Sequence, residues 1–425
     1  MSAVLTRTFE SLRVRNYRLF FSGQVVSWTG TWVAWVAQGW LVLELTGSGL
    51  GLGLVTALQW LPVLLLGAWG GVLADRFNKR KLLIATNVSS GILSLILGLL
   101  TVSGVVTLWM VIAVALMLGV VTAIDNPTRQ TFTYEMVGRE RLTNAVSLNT
   151  ATFTTARVIG PAVAGFMIAG VGIGECFLVN AASFVPITVA LLAMDRTKLR
   201  PSHEAEAKPG QIREGFRYAM SIPVLRTILI IMAVVGTLQY NFQVILPVLA
   251  KETFAGDATT FGLLGAALGI GMFSGSITNA AFGRPTRKVL LGAGGALGTM
   301  TLIVAAAPTL WLAMLLMVPL GASSMAFLAT MNSTLQLNSS DQMRGRVMAM
   351  YFVLFLGSTP IGAPIIGSIA EILSPRAALA VGGLATLGAV AYGYARLPDA
   401  APTGIEEGAA TEEEPIAELV AESAD

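Results

Sequence analysis

The chain has 425 residues; 54% are hydrophobic and only 12% are charged, against about a quarter charged in a soluble domain. That balance excludes an ordinary water-soluble fold, because so much apolar surface needs lipid as its solvent. The formal net charge of +3 is the remainder between basic connectors and an acidic tail, and it is no sign of nucleic-acid binding.

Twelve apolar runs predict an all-α membrane protein with twelve transmembrane helices: 18–45, 51–74, 82–104, 107–127, 142–170, 172–194, 222–250, 260–283, 288–306, 309–332, 345–373 and 376–396. Each is long enough to cross the hydrocarbon core, and the longest are expected to tilt or protrude. Arg7, Arg13, Arg15 and Arg18 precede the first run without a small-residue cleavage site, so that run is expected to be retained. Of the 27 Lys and Arg residues, all but Lys251, Arg376 and the intraspan Arg157 fall on the side of the N-terminus. This bias predicts that both termini are cytoplasmic.

The first run contains "SGQVVSWTGTWVAWVAQGW", with four of the eight tryptophans. Gln24, Trp28, Thr31, Trp35 and Gln38 recur at intervals of 4, 3, 4 and 3, which puts them on one helix face. Polar groups facing lipid are costly, so this stripe must face protein or a watery cavity. It reads either as a cavity wall or as glue between helices. Trp32 and Trp40 fall off the stripe and are expected to meet lipid or neighbouring helices. Glu44 lies near the far end of the run.

The connector "GGVLADRFNKRKLL" follows the second run and sets Asp75 among Arg76, Lys79, Arg80 and Lys81. A carboxylate at a helix end pairs with arginines or caps a neighbouring helix, so this cluster is a candidate latch; the plainer reading is topology charges alone. Asn78 tolerates a left-handed conformation better than other non-Gly residues, so a turn there can survive. Asp125, at the end of the fourth run, lies four residues before Arg129. The fifth run holds Arg157, which needs an acceptor or water at that depth. It also holds Gly160, Pro161 and Gly165. Small residues allow close helix approach and proline bends the helix, which suits a tight seam or ordinary packing.

Residues 1–194 form one six-run half, and 195–221 a cytoplasmic linker. Ile212, Phe216 and Met220 at its end predict a short amphipathic surface helix. His203, the sole histidine, reads as a solvated loop residue. With one cysteine, Cys176, an intrachain disulfide is impossible and a Cys/His zinc site is not expected. No metal or cofactor is implied. Residues 222–397 form a second half that echoes the first at an offset of about 205: "NPTRQ" at 126–130 against "NSTLQ" at 332–336, "KRKLL" at 79–83 against "TRKVL" at 286–290, "GPAVAG" at 160–165 against "GAPIIG" at 362–367. An offset of 208 carries the first-run stripe onto Gln239 and Gln243. Two pseudo-symmetric six-helix halves with substrate between them is a secondary-transporter arrangement. Residues 398–425 hold nine acids and no base, and this tail is expected to be disordered.

The 71–81 connector resembles the major facilitator superfamily hallmark G-x-x-x-D-R-x-G-R-R/K. Gly71, Asp75, Arg76, Arg80 and Lys81 fit, and Asn78 replaces the second glycine. The "GP" and following small residues of the fifth run resemble that superfamily's antiporter signature, with Ser147, Ala156 and Ala164 where its fullest form has glycine. The whole chain is similar to the subgroup that includes enterobactin exporters and bacterial drug and macrolide exporters. The resemblance implies that helices 1, 4, 7 and 10 line a central cavity, and that the fifth-helix motif seals an inward-facing state. It implies a monomer in the bacterial cytoplasmic membrane that exports small amphipathic molecules, drug-like or siderophore-like, by alternating access. Protons are the expected coupling ion, and Asp125 and Glu44 are the candidate carriers. Asp125 serves equally as a latch member with Arg129 and Arg76. An importer on the same scaffold and a non-transporting receptor remain the rival readings. No phosphate-binding G-x-x-x-x-G-K-[ST] occurs, and no cluster of catalytic residues lies at depth, so an enzyme is not expected.

Overall fold

The computed structural model describes residues 9–200, 211–281 and 285–398. His203 and the tail beyond Pro398 lie outside the described residues. Helices occupy almost everything described. They are α1 (Arg15–Thr46), α2 (Gly49–Arg76), α3 (Lys79–Val102), α4 (Leu108–Val137), α5 (Leu142–Gly170) and α6 (Ile173–Leu192). The short surface helix α7 (Gln211–Ser221) follows, then α8 (Pro223–Leu238), α9 (Phe242–Val248), α10 (Ala258–Ala281), α11 (Arg287–Ala305) and α12 (Leu310–Leu337). The last described helices are α13 (Asp341–Gly357), α14 (Thr359–Ile372) and α15 (Pro375–Arg396).

Among the described residues, 11 helical stretches are long and apolar enough to cross a membrane. α1 is not one of them, although it has 32 residues. Its polar groups lower its hydropathy, and much of it is covered by protein: it packs on α5 and α6, and also touches α9; residues 1–194 and 222–397 are called the first and second half below. Elsewhere apolar side chains face outward to lipid. Trp109 and Trp311 stand exposed at the starts of α4 and α12, with Trp69 and Tyr394 near the ends of α2 and α15. Exposed aromatic rings at helix ends are the usual anchors at a membrane interface.

Two runs that the sequence predicts as single helices are broken. The 222–250 run stops at Leu238, unwinds through Tyr240 and Asn241, and resumes as α9 before a π turn at Leu249–Thr253. Asn241 Nδ2 donates back to the Thr237 carbonyl at 2.7 Å. The 345–373 run breaks at Ser358, because Pro360 in the next turn has no amide to donate. The breaks lie side by side: a Cβ on Gly236, just before the first, would lie 2.7 Å from Ser358 Oγ, and one on Gly362 would lie 3.0 Å from Asn241 Nδ2. α4 and α12 continue beyond the predicted 127 and 332 to Val137 and Leu337. These extensions carry the two related segments 126–130 and 332–336.

The same close approaches recur in both halves. Gly119 of α4 sits on the Gln59 carbonyl of α2, and Gly321 of α12 sits on the Leu268 carbonyl of α10. The halves meet at the end where α1 stops and α2 begins. There α5 packs on α10, and α2 packs on α14. Among the described residues α4 has no packed interface with any helix of residues 222–397, and beyond the seam α2 meets α13 only where Leu64 touches Gly357, so the opposite end is parted.

Candidate functional site

The seam between the halves is built from glycines. A Cβ on Gly262 would lie 2.5 Å from the Pro161 carbonyl oxygen, one on Gly165 would lie 3.0 Å from that of Ala258, and one on Gly269 would lie 2.9 Å from the Val158 Cα. On the symmetric contact, Gly49 of α2 would place a Cβ 2.9 Å from the Gly367 carbonyl, and Gly53 sits directly on the Ala363 carbonyl. Backbone against backbone at these spacings leaves no room for any side chain. Gly160 is different. It faces Trp32 of α1 within its own half, so only Pro161 and Gly165 of the predicted trio touch the other half.

Beside this seam lies a pocket between the halves, with a volume of about 70 Å³. Trp32, Trp35, Arg157, Phe242, Gln243 and Phe261 form its working wall. The Arg157 guanidinium lies 5.4 Å from the Trp32 ring centre. Trp32 meets Trp35 edge-on at 4.8 Å, and Trp35 meets Trp60 of α2 at 6.0 Å. The aromatic wall continues through Phe153, 5.4 Å from Trp28 and 5.7 Å from Trp32. Sequence reasoning missed Trp32, Phe153, Phe242 and Phe261. A larger concavity of about 500 Å³ opens on the outer face of α1, α5 and α6. Its hydroxyls are committed, Thr29 to the Val25 carbonyl and Ser183 to that of Asn180, so it offers no orienting group.

The predicted stripe is divided among three tasks. Trp35 and Gln243 line the pocket. Gln38 Nε2 donates to Gln59 Oε1 of α2 at 2.9 Å, and the Thr31 hydroxyl donates to the Ser27 carbonyl of its own helix at 2.8 Å. Three glutamines expected in the cavity do not line this pocket: Gln38, paired with Gln59, and two others. Gln24 is fully buried and accepts from Arg129. Gln239 turns into its own half, donating to Thr301 Oγ1 at 2.7 Å. The physical reason is that a buried amide needs partners; α4 and α11 supply one to each, while Gln24 Nε2 and Gln239 Oε1 stay buried without one.

Gln24 belongs to a buried polar network. Arg129 Nη2 donates to Asp125 Oδ2 at 2.6 Å, and Thr86 of α3 donates to Asp125 Oδ1 at 2.7 Å. The guanidinium lies 5.8 Å from the Phe20 ring and 6.0 Å from that of Trp28. α1, α3 and α4 are thereby tied at the parted end. A second tie, absent from the sequence reading, joins Lys79 to Glu135 at 2.9 Å.

In the 71–81 connector the residues separate. Asp75 and Arg76 are exposed, and no ion pair joins Asp75 to Arg76 or Arg80. Arg80 is buried instead and donates to the Leu191 and Leu192 carbonyls at the end of α6. Orphan carbonyls at a helix C-terminus are natural acceptors for arginine. Asn78 is extended rather than left-handed, and its side chain caps α3 by accepting from the Lys81 amide at 3.1 Å. Of the two candidate proton carriers, Asp125 is neutralised by Arg129. Glu44 is exposed and accepts from Trp40 Nε1 at 2.7 Å.

A family profile described as transmembrane secretion effector matches residues 6–424. The chain is 28% identical to the multidrug efflux pump Tap of Mycolicibacterium fortuitum, over 80% of this chain and 86% of that one. It is 24% identical to the enterobactin exporter EntS of Salmonella typhimurium, over 81% and 80%. It is 29% identical to the staphyloferrin A transporter of Staphylococcus aureus over 58% of this chain, a match spanning 62% of that relative's length. Among solved structures, a bacterial homologue of the lysosomal transporter Spinster, inward-facing and unoccupied, superposes with TM-score 0.70 at 14% identity, over 90% of this chain and 94% of that one. The nucleoside transporter NupG superposes with TM-score 0.67 at 13% identity, over 89% and 98%. These structures share the fold; the family profile, which spans nearly the whole chain, carries the family. The chain is a multi-pass membrane protein of the transmembrane secretion effector family within the major facilitator superfamily, a transporter and not an enzyme.

Proposed function

We propose that this chain exports small amphipathic organic molecules from the bacterial cytoplasm by alternating access between two six-helix halves, as a monomer in the cytoplasmic membrane. α1 is the twelfth span, and α8–α9 and α13–α14 each count as one broken span. With both termini cytoplasmic, the glycine seam is the outer gate and the parted end opens to the cytoplasm. The observation that carries this reading is the location of the aromatic pocket, between the halves and directly beneath the closed seam. Parting the seam while closing the far end would turn that pocket from one side of the membrane to the other. Export, rather than import, rests on relatives described as an efflux pump and as exporters.

Protons are the proposed coupling ion. Asp125 is the better placed of the two candidate carriers, because its charge is held inside the bundle by Arg129 and Thr86. Asp75 is proposed to latch the cytoplasmic end only when that end closes, which agrees with its lack of an ion pair while the end is parted. The test is accumulation of a panel of macrolides, siderophores and lipophilic drugs in cells with and without the gene. Lower accumulation of some compounds in expressing cells, reversed by a proton uncoupler, is expected. Equal accumulation of every compound would reject export, and lower accumulation unaffected by the uncoupler would reject proton coupling.

A further inference from the structure

We infer that the pocket beneath the seam is an oxyanion site, and that the molecules carried are carboxylate-bearing amphipaths held through Arg157. The inference deepens the exporter reading and rests on it for the word "carried"; the binding site itself stands on the geometry below.

Arg157 lies mid-helix in α5, where an uncompensated cation is expensive. Among the described residues it has no ion pair and no hydrogen-bonded acceptor. The other arginine lying among the helices, Arg129, has both a carboxylate and an amide oxygen. The titratable group that acts on Arg157 electrostatically is Tyr240, and that hydroxyl is already donated to the Ser324 carbonyl at 3.0 Å. What the guanidinium does have is the face of Trp32 at 5.4 Å. A ring in that position orients a guanidinium without using its N–H donors. The donors therefore remain available, in the planar fork that suits a carboxylate.

The pocket's size fits a head group. Its volume of about 70 Å³ admits a carboxylate and is far below that of a site enclosing a drug-sized ligand. The rest of the molecule has somewhere to lie. Trp35 and Trp60 on one side, and Phe153 and Trp28 on the other, extend the wall as edge-to-face rings. The exposed Gln243 amide adds a second orienting group on the opposite half. A carboxylate on Arg157 thus has one half of the protein behind it and the other half in front, and its binding removes the lone charge from the interface that must move.

The probes are naphthalene-2-carboxylate and its neutral isostere naphthalene-2-carboxamide, titrated calorimetrically against purified full-length protein in nanodiscs. The wild type is expected to bind the carboxylate about tenfold or more tightly than the amide. In Arg157→Gln that ratio should fall to about one, with amide affinity unchanged, and Arg157→Lys should keep part of it. The unchanged amide affinity and melting temperature show that Arg157→Gln remains folded. Equal affinities in the wild type, no measurable carboxylate binding, or a preference that survives Arg157→Gln would overturn the inference. The assay does not involve transport. A carboxylate preference without cellular export would remove the exporter reading and keep the site; export without any preference would remove the site alone.

Discussion

Glu371 near the end of α14 accepts from the Ser48 hydroxyl, the N-cap of α2, while its Oε2 also accepts from the Leu50 amide at 3.0 Å. A carboxylate from the second half therefore caps a helix of the first half, at the end where the glycine seam is closed. Anions at helix N-termini are favourable because of the unpaired amides and the helix dipole. Parting the seam would separate these groups, so the tie should favour the closed end.

Replacing Glu371 by Gln should loosen that end. A single cysteine at Ala258, which is buried against Gly165, in a Cys176→Ser background reports opening by maleimide labelling. Labelling should speed up by roughly twofold to fivefold, given the modest worth of an exposed cap. Unchanged labelling would mean the cap does not hold the gate.

Gly262→Leu should prevent the seam from closing, because its side chain would enter the Pro161 carbonyl. The variant is expected to insert and fold, to expose Ala258→Cys to labelling constantly, and to lose nearly all transport. Gly160→Leu should instead displace Trp32 and alter which compounds are carried. Equal loss for every compound in Gly160→Leu, after correction for folded protein, would contradict this division.

The seam was partly legible in the sequence. "GPAVAG" and "GAPIIG" stand on two symmetric contacts, as their offset suggests. Their partners were missed, although Gly49 and Gly53 have small-residue spacing and Gly262, Gly265 and Gly269 lie on one helix face. The pocket was less legible. Helical periodicity separates faces only when one of them meets a different medium, and α1 is covered by protein on most sides. Trp32 therefore fell off the stripe yet lines the pocket, while Gln24 fell on it and does not. No sequence rule says which carbonyl an arginine will find, and Arg80 found α6 rather than Asp75. The break at Ser358 had a signal in Pro360; the break at Tyr240 and Asn241 had only the polarity of its neighbours.

Trp35→Ala should change the range of exported compounds, with bulky aromatic ones losing most. Trp40→Ala should act on stability instead. Trp40 is buried, stacks 6.4 Å from Phe261 of α10, and donates to Glu44. Losing a buried tryptophan costs about 3–5 kcal/mol, seen as a lower melting temperature with an unchanged compound profile. A profile change in Trp40→Ala but not in Trp35→Ala would reverse the assignment.

Asp125→Asn should lower stability by about 2 kcal/mol, between the values for exposed and fully buried pairs. Adding Arg129→Gln should recover part of that loss, since the uncompensated cation is then gone. A strictly additive double variant would show that the two side chains do not interact energetically. If Asp125 also carries the proton, export in Asp125→Asn should no longer respond to an uncoupler; a preserved response would assign coupling elsewhere.

Alternating access is tested most directly by measuring both ends of one molecule. Spin labels at Val171 and Leu373 report the sealed end, and labels at Phe77 and Leu337 report the parted end; all four positions are exposed and lie on opposite halves. On adding an exported compound, the first distance distribution should gain a longer component while the second gains a shorter one. Both pairs lengthening together, or neither responding to a compound the cells demonstrably export, would contradict the account.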